Sequence, residues 1–247
     1  MNPFSLENKT VLVTGASSGI GKAIAIMCSQ MGANLVITGR NEERLKNTFE
    51  ELEGVNHTYL IADLTKEDNV EQLVKNLSKL DGFVNSAGIV KPQLLAYTDM
   101  NEINDILQTN SISAINLSRL LIQHNKINKE ASIVYISSIN GNNCSSIGSS
   151  IYAASKAMLN GFMKGIALEL ASKKIRVNCI TPGMIETDIF KGSNIDTEAI
   201  EKDRLKYPLK RYGRPEEVAY SVIYLLSDAT KWVTGSSLLI DGGYTLQ

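Results

Sequence analysis

The sequence predicts a doubly wound α/β fold, in which helices cover both faces of a parallel β-sheet. Short β-rich runs alternate with longer segments of helical period along the chain. Strand-like runs such as VLVT, LVIT and IVYIS are apolar throughout, as strands must be when both faces of a sheet are covered. Seven such runs predict a three-layer sandwich around a seven-stranded parallel sheet.

The predicted elements follow one another without a linker or a low-complexity segment. Predicted strands cover residues 10–14, 34–38, 58–61, 82–85, 132–137, 176–180 and 237–240. Predicted helices cover residues 20–31, 41–52, about 66–80, a long segment within 100–125, about 151–172 and 215–226, and the stretch from 181 to 208 is predicted to be irregular. We therefore expect residues 1–247 to form one domain.

The composition excludes several classes of function. With 25 basic and 26 acidic residues, the formal net charge of -1 gives no general attraction to nucleic acid or to an anionic membrane. No stretch approaches the ~20 apolar residues that span a bilayer, and the first ten residues lack a leader pattern, so a cytoplasmic protein is expected. Cys28, Cys144 and Cys179 have no paired spacing and predict free thiols, and His57 and His124 lack companion metal ligands.

A glycine-rich segment, TGASSGIG, separates the first predicted strand from the first predicted helix. Gly15, Gly19 and Gly21 would let backbone N–H groups approach a pyrophosphate at the helix N-terminus, together with Ser17, Ser18 and Ile20. The first two glycines are separated by three residues, unlike the GxGxxG of longer-chain dehydrogenases. A plain glycine turn is the alternative interpretation of this segment.

The end of the second predicted strand, Thr38-Gly39-Arg40, bears on the choice of dinucleotide. An NAD-specific site would carry a carboxylate there to bind the ribose 2′-hydroxyl. Arg40 instead offers a planar guanidinium suited to a 2′-phosphate. We therefore predict NADP(H) as the preferred cofactor, with NAD(H) as the alternative, since an arginine that opens a surface helix is also common.

Three side chains predict acid–base chemistry near the fifth strand. Tyr152 and Lys156 are four residues apart on a predicted helix and so face the same way. An ammonium beside a phenol favours the phenolate, so we expect Lys156 to lower the pKa of Tyr152. Ser138 follows the run IVYIS at the carboxyl end of a strand, with Ser137 as its neighbour, and can hydrogen-bond a substrate oxygen.

These motifs resemble the short-chain dehydrogenase/reductase family, and the resemblance extends over nearly the whole chain. It rests on TGxxxGIG at 14–21, on YxxxK at Tyr152 and Lys156, and on SxxG beginning at Ser138. It implies a Rossmann fold and a catalytic set of Asn110, Ser138, Tyr152 and Lys156. At Asn110 the resemblance implies a helix distortion whose backbone carbonyl holds a water against the lysine, with Asn116 as the alternative position.

The resemblance implies further contacts with the dinucleotide. Asp63, with Leu64, would bind the adenine amino group, although taken alone Asp63 reads as a helix N-cap. The NSAG segment would lie along the adenosine through Asn85, Ala87 and Gly88, with Ser86 in place of the second asparagine of the family. A PGxxxT segment would hold the carboxamide of the nicotinamide through Pro182, Gly183, Ile185 and Thr187.

The resemblance also implies a reaction, the reduction of a ketone to a secondary alcohol. Segments GRPEEV at 213–218 and DGG at 241–243 resemble the β-ketoacyl carrier-protein reductases, which implies a carrier-protein-linked substrate and a homotetramer or homodimer. The alternatives are an NAD-dependent alcohol dehydrogenase acting on a hydroxysteroid, sugar or polyol, and a non-catalytic nucleotide-sensing protein. No partner among nucleic acids or membranes is expected.

The substrate pocket and its entrance are predicted only in outline. A lid is expected at about 188–207, where Phe190 and Ile195 alternate with polar residues, although an ordinary surface excursion explains the pattern equally well. The pocket is expected to contain Val90, Ile139, Asn140, Cys144 and Met184. A basic entrance for a carrier protein would use Lys191, Lys202, Arg204, Lys206, Lys210 and Arg211, or these residues form a solvated face.

Overall fold

One seven-stranded sheet forms the centre of the computed structural model, which describes residues 2–187 and 197–247. The strands lie in the order β3-β2-β1-β4-β5-β6-β7, and every neighbouring pair is parallel. Their bounds are β1 Thr10–Thr14, β2 Asn34–Gly39, β3 Thr58–Ile61, β4 Leu80–Asn85, β5 Ile127–Ile136, β6 Arg176–Pro182 and β7 Ser237–Ile240. The strand order reverses between β1 and β4, which is where ligands bind in open sheets of this kind.

Helices cover both faces of the sheet. They are α1 Gly19–Gln30, α2 Glu42–Glu50, α3 Glu67–Asn76, α4 Met100–Leu107, α5 Ser113–Gln123, α6 Ser150–Leu170, α7 Thr197–Arg204 and α8 Pro215–Leu226. None of the helices in residues 2–187 and 197–247 has the length and apolar character needed to cross a bilayer. The predicted α/β sandwich is confirmed.

Two hydrophobic cores lie on opposite faces of the sheet because successive strand residues point to opposite sides. On β1, Leu12 packs into the core beneath α3, α5 and α6, whereas Val11 and Val13 pack into the core beneath α1 and α8. On β5, Tyr135 packs into the same core as Leu12, and Val134 packs into the same core as Val11 and Val13. Strands buried on both faces explain why the runs VLVT and IVYIS show no alternation.

The strand β5 is longer than its apolar run. It begins at Ile127 rather than at residue 132, and Ile127 pairs with Leu80 before the register shifts. The charged residues Lys129 and Glu130 hide this extension in the sequence. Glu130 adopts a left-handed backbone conformation (φ 64°), consistent with the local irregularity.

Two other stretches differ from the prediction. The long helix expected within 100–125 is α4 and α5 joined by a π-helical turn, Gln108–Ile112. The stretch from 181 to 208, predicted to be irregular, contains α7 at Thr197–Arg204. Its amphipathic pattern is weak because five of its eight residues are charged, so apolar periodicity could not reveal it.

Candidate active site

A cleft of about 460 Å³ opens at the carboxyl ends of the strands, at the point where the strand order reverses. It gathers most residues that the sequence singled out, from every part of the chain. Those lining it are Gly15, Ser17, Ser18, Gly19, Ile20, Gly21, Arg40, Asp63, Leu64, Ala87, Gly88, Ser138, Tyr152, Lys156, Pro182, Gly183, Ile185 and Thr187. Two predicted residues, Asn85 and Asn110, are buried and do not line the cleft.

The glycine-rich turn brings backbone close to backbone at one end of the cleft. A Cβ on Gly21 would lie 2.2 Å from the Gly15 carbonyl oxygen, and one on Gly15 would lie 2.8 Å from Ala87 Cα. Ser18 is the N-cap of α1 but its side chain makes no capping hydrogen bond, and the first turn contains no acidic residue. The amides of this helix N-terminus therefore face the cleft, and they suit a pyrophosphate.

Asn85 supports this turn from below. Its Oδ1 accepts a hydrogen bond from Thr14 Oγ1 (3.0 Å), and the same Thr14 oxygen accepts from the amides of Ser86 (3.2 Å) and Ala87 (3.3 Å). Thr14 thus joins the ends of β1 and β4. Sequence reasoning missed Thr14, although its position at the last residue of an apolar strand, before the first glycine, marked it.

Two arginines lie at the far end of the cleft, after β2. Arg40 and Arg44 both line it and both are exposed, and Asn41 caps α2 by accepting from the Arg44 amide (2.9 Å). No carboxylate occurs between Thr38 and Asn41, so the ribose end of the cleft is cationic. Arg44 was missed by the sequence analysis, although it lies in the first turn of the helix that begins just after Arg40.

Asp63 lies in the adjoining turn after β3. Its Oδ1 accepts from the Thr65 amide (3.0 Å) and the Thr65 hydroxyl (2.7 Å). Burial works against ionisation of Asp63, but the Thr65 bonds and the charges of Arg40 and Lys66 outweigh it and hold the pKa of the carboxyl below its usual value. The N-cap of α3 is Lys66, so Asp63 is not the helix cap that its isolated context suggested.

Ser138, Tyr152 and Lys156 meet at the opposite end of the cleft. The Ser138 and Tyr152 hydroxyls hydrogen-bond each other, and Ser138 Oγ also accepts from the Asn140 amide (3.1 Å). Lys156 Nζ donates to the Ile136 carbonyl (3.0 Å), and burial lowers the pKa of Lys156 to about 8. The site therefore combines a hydroxyl pair with a buried amine.

The pKa of Tyr152 differs from the prediction. Burial raises it above its ordinary value, and the hydrogen bond from Ser138 only partly opposes that effect. Lys156 does not lower it, because its ammonium is directed at the Ile136 carbonyl and lies 5.8 Å from the centre of the Tyr152 ring. In this arrangement Tyr152 is a protonated phenol at neutral pH.

Asn110 lies in the π-helical turn between α4 and α5, where the resemblance implied a helix distortion. It is fully buried; its Oδ1 accepts from the Ile89 amide (2.7 Å), and its Nδ2 donates to the Ile89 carbonyl (2.9 Å) and to Ser155 Oγ (3.1 Å). A Cβ on Gly88 would lie 3.3 Å from both Asn110 Oδ1 and Lys156 Nζ, so these groups converge. The alternative, Asn116, instead accepts from Arg119 at the surface.

The segment after β6 is held from three sides. The Gly183 amide donates to the Ile240 carbonyl (3.0 Å), and the Met184 amide donates to the Tyr207 hydroxyl (3.1 Å). Ile185 bridges to Gly213. Thr187 lies beside the glycine turn, because a Cβ on Gly19 would come within 3.3 Å of its methyl group. The PGxxxT segment therefore lines the cleft beside the glycine turn.

Only some of the residues predicted to form the substrate pocket line the cleft. Val90 and Met184 line the cleft, whereas Ile139 is buried and Asn140 pairs with Cys144 in the loop beyond Ser138. Residues 188–196 of the predicted lid, including Phe190, Lys191 and Ile195, lie outside the described residues.

The predicted basic entrance is largely neutralised by ion pairs. Acidic side chains neutralise four of its basic residues: Lys202 pairs with Glu198 (2.7 Å), Arg204 with Glu186 (2.7 Å), Lys206 with Asp203 (3.0 Å) and Arg211 with Glu217 (2.7 Å). Lys210 donates to the Leu205 carbonyl (2.8 Å). The surface around α7 therefore offers little excess positive charge.

Comparisons with known proteins agree on the class of this cleft. The model of a family described as enoyl-(acyl carrier protein) reductase matches residues 15–245. The 3-oxoacyl-[acyl-carrier-protein] reductase of Chlamydia trachomatis is 38% identical over 246 residues, covering 96% of this chain and 98% of the relative. Carbonyl reductase family member 4 of Danio rerio is 35% identical, covering 97% and 99%. The crystal structure of a dehydrogenase/reductase from Sinorhizobium meliloti superposes with a TM-score of 0.91 at 33% identity, covering 98% and 97%.

Proposed function

Because this chain belongs to the short-chain dehydrogenase/reductase family and is an NAD(P)-dependent oxidoreductase, we propose that it reduces a ketone to a secondary alcohol. The observation that supports this reaction is the hydrogen-bonded pair of the Ser138 and Tyr152 hydroxyls at the end of the cleft. Both hydroxyls can bind one carbonyl oxygen, and the half-buried phenol holds a proton to give to it.

Each catalytic side chain has a defined task in this proposal. When bound, the nicotinamide would supply the hydride that reduces the carbonyl carbon. Ser138 binds the substrate oxygen, and Tyr152 binds it and donates the proton as negative charge develops there. Lys156, whose amine is held by the Ile136 carbonyl, binds the ribose as an ammonium. Asn110 fixes the loop at Ile89, and we propose that a backbone carbonyl of the π-turn holds a water beside Lys156.

The cofactor we propose is NADPH, and Arg40 and Arg44 support it. A 2′-phosphate needs cationic donors, and guanidinium groups bind phosphate oxygens in pairs. NADH has no such group, so it would gain little from either arginine. An NAD-dependent dehydrogenase acting on a hydroxysteroid, sugar or polyol would be expected to carry a carboxylate after β2, and this chain has none between Thr38 and Asn41.

The substrate class we propose is a 3-oxoacyl thioester on a carrier protein. The support is the identity to the Chlamydia trachomatis reductase over nearly the full length of both chains. The similarity to the Danio rerio carbonyl reductase makes a free ketone the competing substrate. We also propose that residues 1–247 form one cytoplasmic domain with a lid at about 188–207, and that the protein works as a homotetramer or homodimer.

The first experiment is calorimetric titration with NADPH and NADH at matched ionic strength. Loss of a charged hydrogen bond costs roughly 1.5–3 kcal/mol, so Arg40→Ala and Arg44→Ala should each weaken NADPH binding by about 10-fold or more and leave NADH unaffected. Lys46→Ala, which removes an exposed charge from the same helix outside the cleft, is the control. Tighter binding of NADH than of NADPH by the unaltered protein would contradict the proposed cofactor.

Turnover is then measured with a 3-oxoacyl thioester, the matching enoyl thioester, free ketones and, in the reverse direction, alcohols. We expect the 3-oxoacyl thioester to be reduced and Tyr152→Phe to lose at least about 100-fold in kcat with unchanged cofactor binding. Faster reduction of the enoyl thioester would favour carbon–carbon double-bond reduction instead. Full activity in Tyr152→Phe would refute the mechanism, and binding without any turnover would favour a nucleotide-sensing protein.

A further inference from the structure

Asn160 is a buried amide on α6, one helical turn after Lys156, that joins three parts of the fold. Its Nδ2 donates to Ser137 Oγ (2.8 Å) and to the Lys156 carbonyl (3.1 Å), and its Oδ1 accepts from Ser237 Oγ (2.9 Å). Only 5% of Asn160 is exposed. These three bonds connect α6 with the end of β5 and with the first residue of β7.

Ser137 closes a ring of hydrogen bonds with these atoms. Its hydroxyl donates to the same Lys156 carbonyl (3.0 Å) while it accepts from Asn160. Three consecutive residues at the end of β5 therefore hold the catalytic pair on α6. Ile136 binds the Lys156 amine, Ser137 binds the Lys156 carbonyl, and Ser138 binds the Tyr152 hydroxyl. We call this arrangement the β5–α6 clamp.

We propose that Asn160 is a positioning residue, which sets the spacing between Ser138 and Tyr152 through the β5–α6 clamp. Ser137 is adjacent to Ser138 in the chain, and the Lys156 carbonyl lies one turn from Tyr152. Asn160 holds Ser137 against the Lys156 carbonyl. It therefore fixes the position of the Ser138 hydroxyl relative to the Tyr152 hydroxyl. The inference rests on the reduction proposed above, because that reaction needs both hydroxyls on one substrate oxygen.

The chemical character of position 160 supports this role. Asn160 apart, the buried residues of α6 from Leu159 onward are apolar, including Met163 and Ile166. An apolar residue would fill the same space without a buried amide, and replacing a satisfied polar network by apolar groups of similar shape is often close to neutral for stability. An amide with directional bonds to both elements instead restricts their relative placement.

The test compares Asn160→Leu and Ser237→Ala with the unaltered protein. Asn160→Leu removes the clamp's central amide at similar volume, and Ser237→Ala removes only its outermost bond. Ser132→Ala is the matched control, because its buried hydroxyl on the same strand β5 donates to the Leu225 carbonyl (2.7 Å) far from the cleft. For each protein, kcat, KM and the dissociation constant of NADPH are measured, together with the melting temperature.

We expect Asn160→Leu to lower kcat by about 10-fold, since small displacements of reacting groups cost up to about 100-fold in rate, while the NADPH dissociation constant stays within about twofold. Ser237→Ala should lower kcat by a smaller factor. Ser132→Ala should lower the melting temperature but keep kcat. If Asn160 acted only through stability, kcat per NADPH-binding molecule would be unchanged in Asn160→Leu, and that result would overturn the inference.

Failure of the inference is distinguishable from failure of the proposed function. An unaltered protein that reduces no ketone would contradict the function and the inference together. An unaltered protein that reduces ketones, with full kcat in both Asn160→Leu and Ser237→Ala, would overturn the inference alone. Should Asn160→Leu fail to fold, Ser237→Ala is compared with Ser132→Ala. A lower kcat in Ser237→Ala would support the inference, and an equal kcat would overturn it.

Discussion

At the scale of single residues, burial decides the protonation of the two titratable groups at the centre of the site. The pKa of Tyr152 rises because the phenolate would be poorly solvated, and the pKa of Lys156 falls to about 8 because its ammonium is buried. The motif YxxxK allowed both residues to be found in the sequence. It could not give the direction of the Tyr152 shift, because that depends on where the Lys156 amine points.

The pH dependence of the reaction follows from these two shifts. Below about pH 8 Lys156 is an ammonium and Tyr152 a phenol, the pair that reduction needs. The value of kcat/KM for ketone reduction should therefore be level below about pH 8 and fall above it. Rate profiles in a constant-ionic-strength buffer test this, and a Lys156→Met variant should lack that inflection. A rate that rises above pH 8 would contradict the assignment.

At the scale of elements, the glycine turn and the π-turn both shape the cleft with backbone atoms. The glycine turn could be predicted from the TGxxxGIG spacing, because no side chain can occupy the space between Gly21 and the Gly15 carbonyl. The π-turn at Gln108–Ile112 gives no periodic signal of its own, and only the resemblance implied it. The start of β5 at Ile127 and the helix α7 were missed, because charged residues interrupt their apolar patterns.

The close approach in the glycine turn predicts a sharp effect of one methyl group. A Cβ on Gly21 meets the Gly15 carbonyl oxygen at 2.2 Å, so Gly21→Ala must displace backbone. Such overpacking costs about 1–3 kcal/mol, and we expect NADPH affinity to fall by at least about 10-fold. Titration of the folded variant measures this.

The matched control is Gly161→Ala on α6. A Cβ there meets nothing within 4 Å, and alanine favours a helix over glycine by about 1 kcal/mol. Its NADPH affinity should equal that of the unaltered protein. Equal affinities in Gly21→Ala and Gly161→Ala would mean that the turn does not bind the pyrophosphate.

At the scale of the whole molecule, one sheet separates two cores that are built from alternate residues of the same strands. The sequence predicted this organisation well, because continuous apolar strands and amphipathic helices are what a covered parallel sheet requires. It could not predict the β5–α6 clamp or the ion pairs around α7. Both depend on side chains that are distant in sequence and meet only after the strands have assembled.

The two cores should respond independently to cavities. Leu117→Ala removes a buried side chain from the core beneath α5, and Leu226→Ala removes one from the core beneath α8. Each should lower the free energy of unfolding by about 2–5 kcal/mol, and the double variant should show the sum to within about 0.5 kcal/mol. Urea unfolding at a fixed protein concentration measures these values.

The control for this prediction is a pair within one core. Leu117 and Leu121 are one turn apart on α5 and pack into the same core. Their double alanine variant should depart from additivity, because the two cavities share neighbours. Equal departures in both double variants would mean that the sheet transmits strain between its faces.

The position of β7 at one edge of the sheet has a consequence for synthesis on the ribosome. Residues 237–240 are translated after the other six strands of the sheet, yet the Ile240 carbonyl anchors Gly183 and the Ser237 hydroxyl completes the contacts of Asn160. A nascent chain can therefore assemble β1, β2 and the glycine turn long before those two contacts exist. Catalytic competence should appear only after residues 237–240 have emerged, so shorter nascent chains would bind dinucleotide before they could use it.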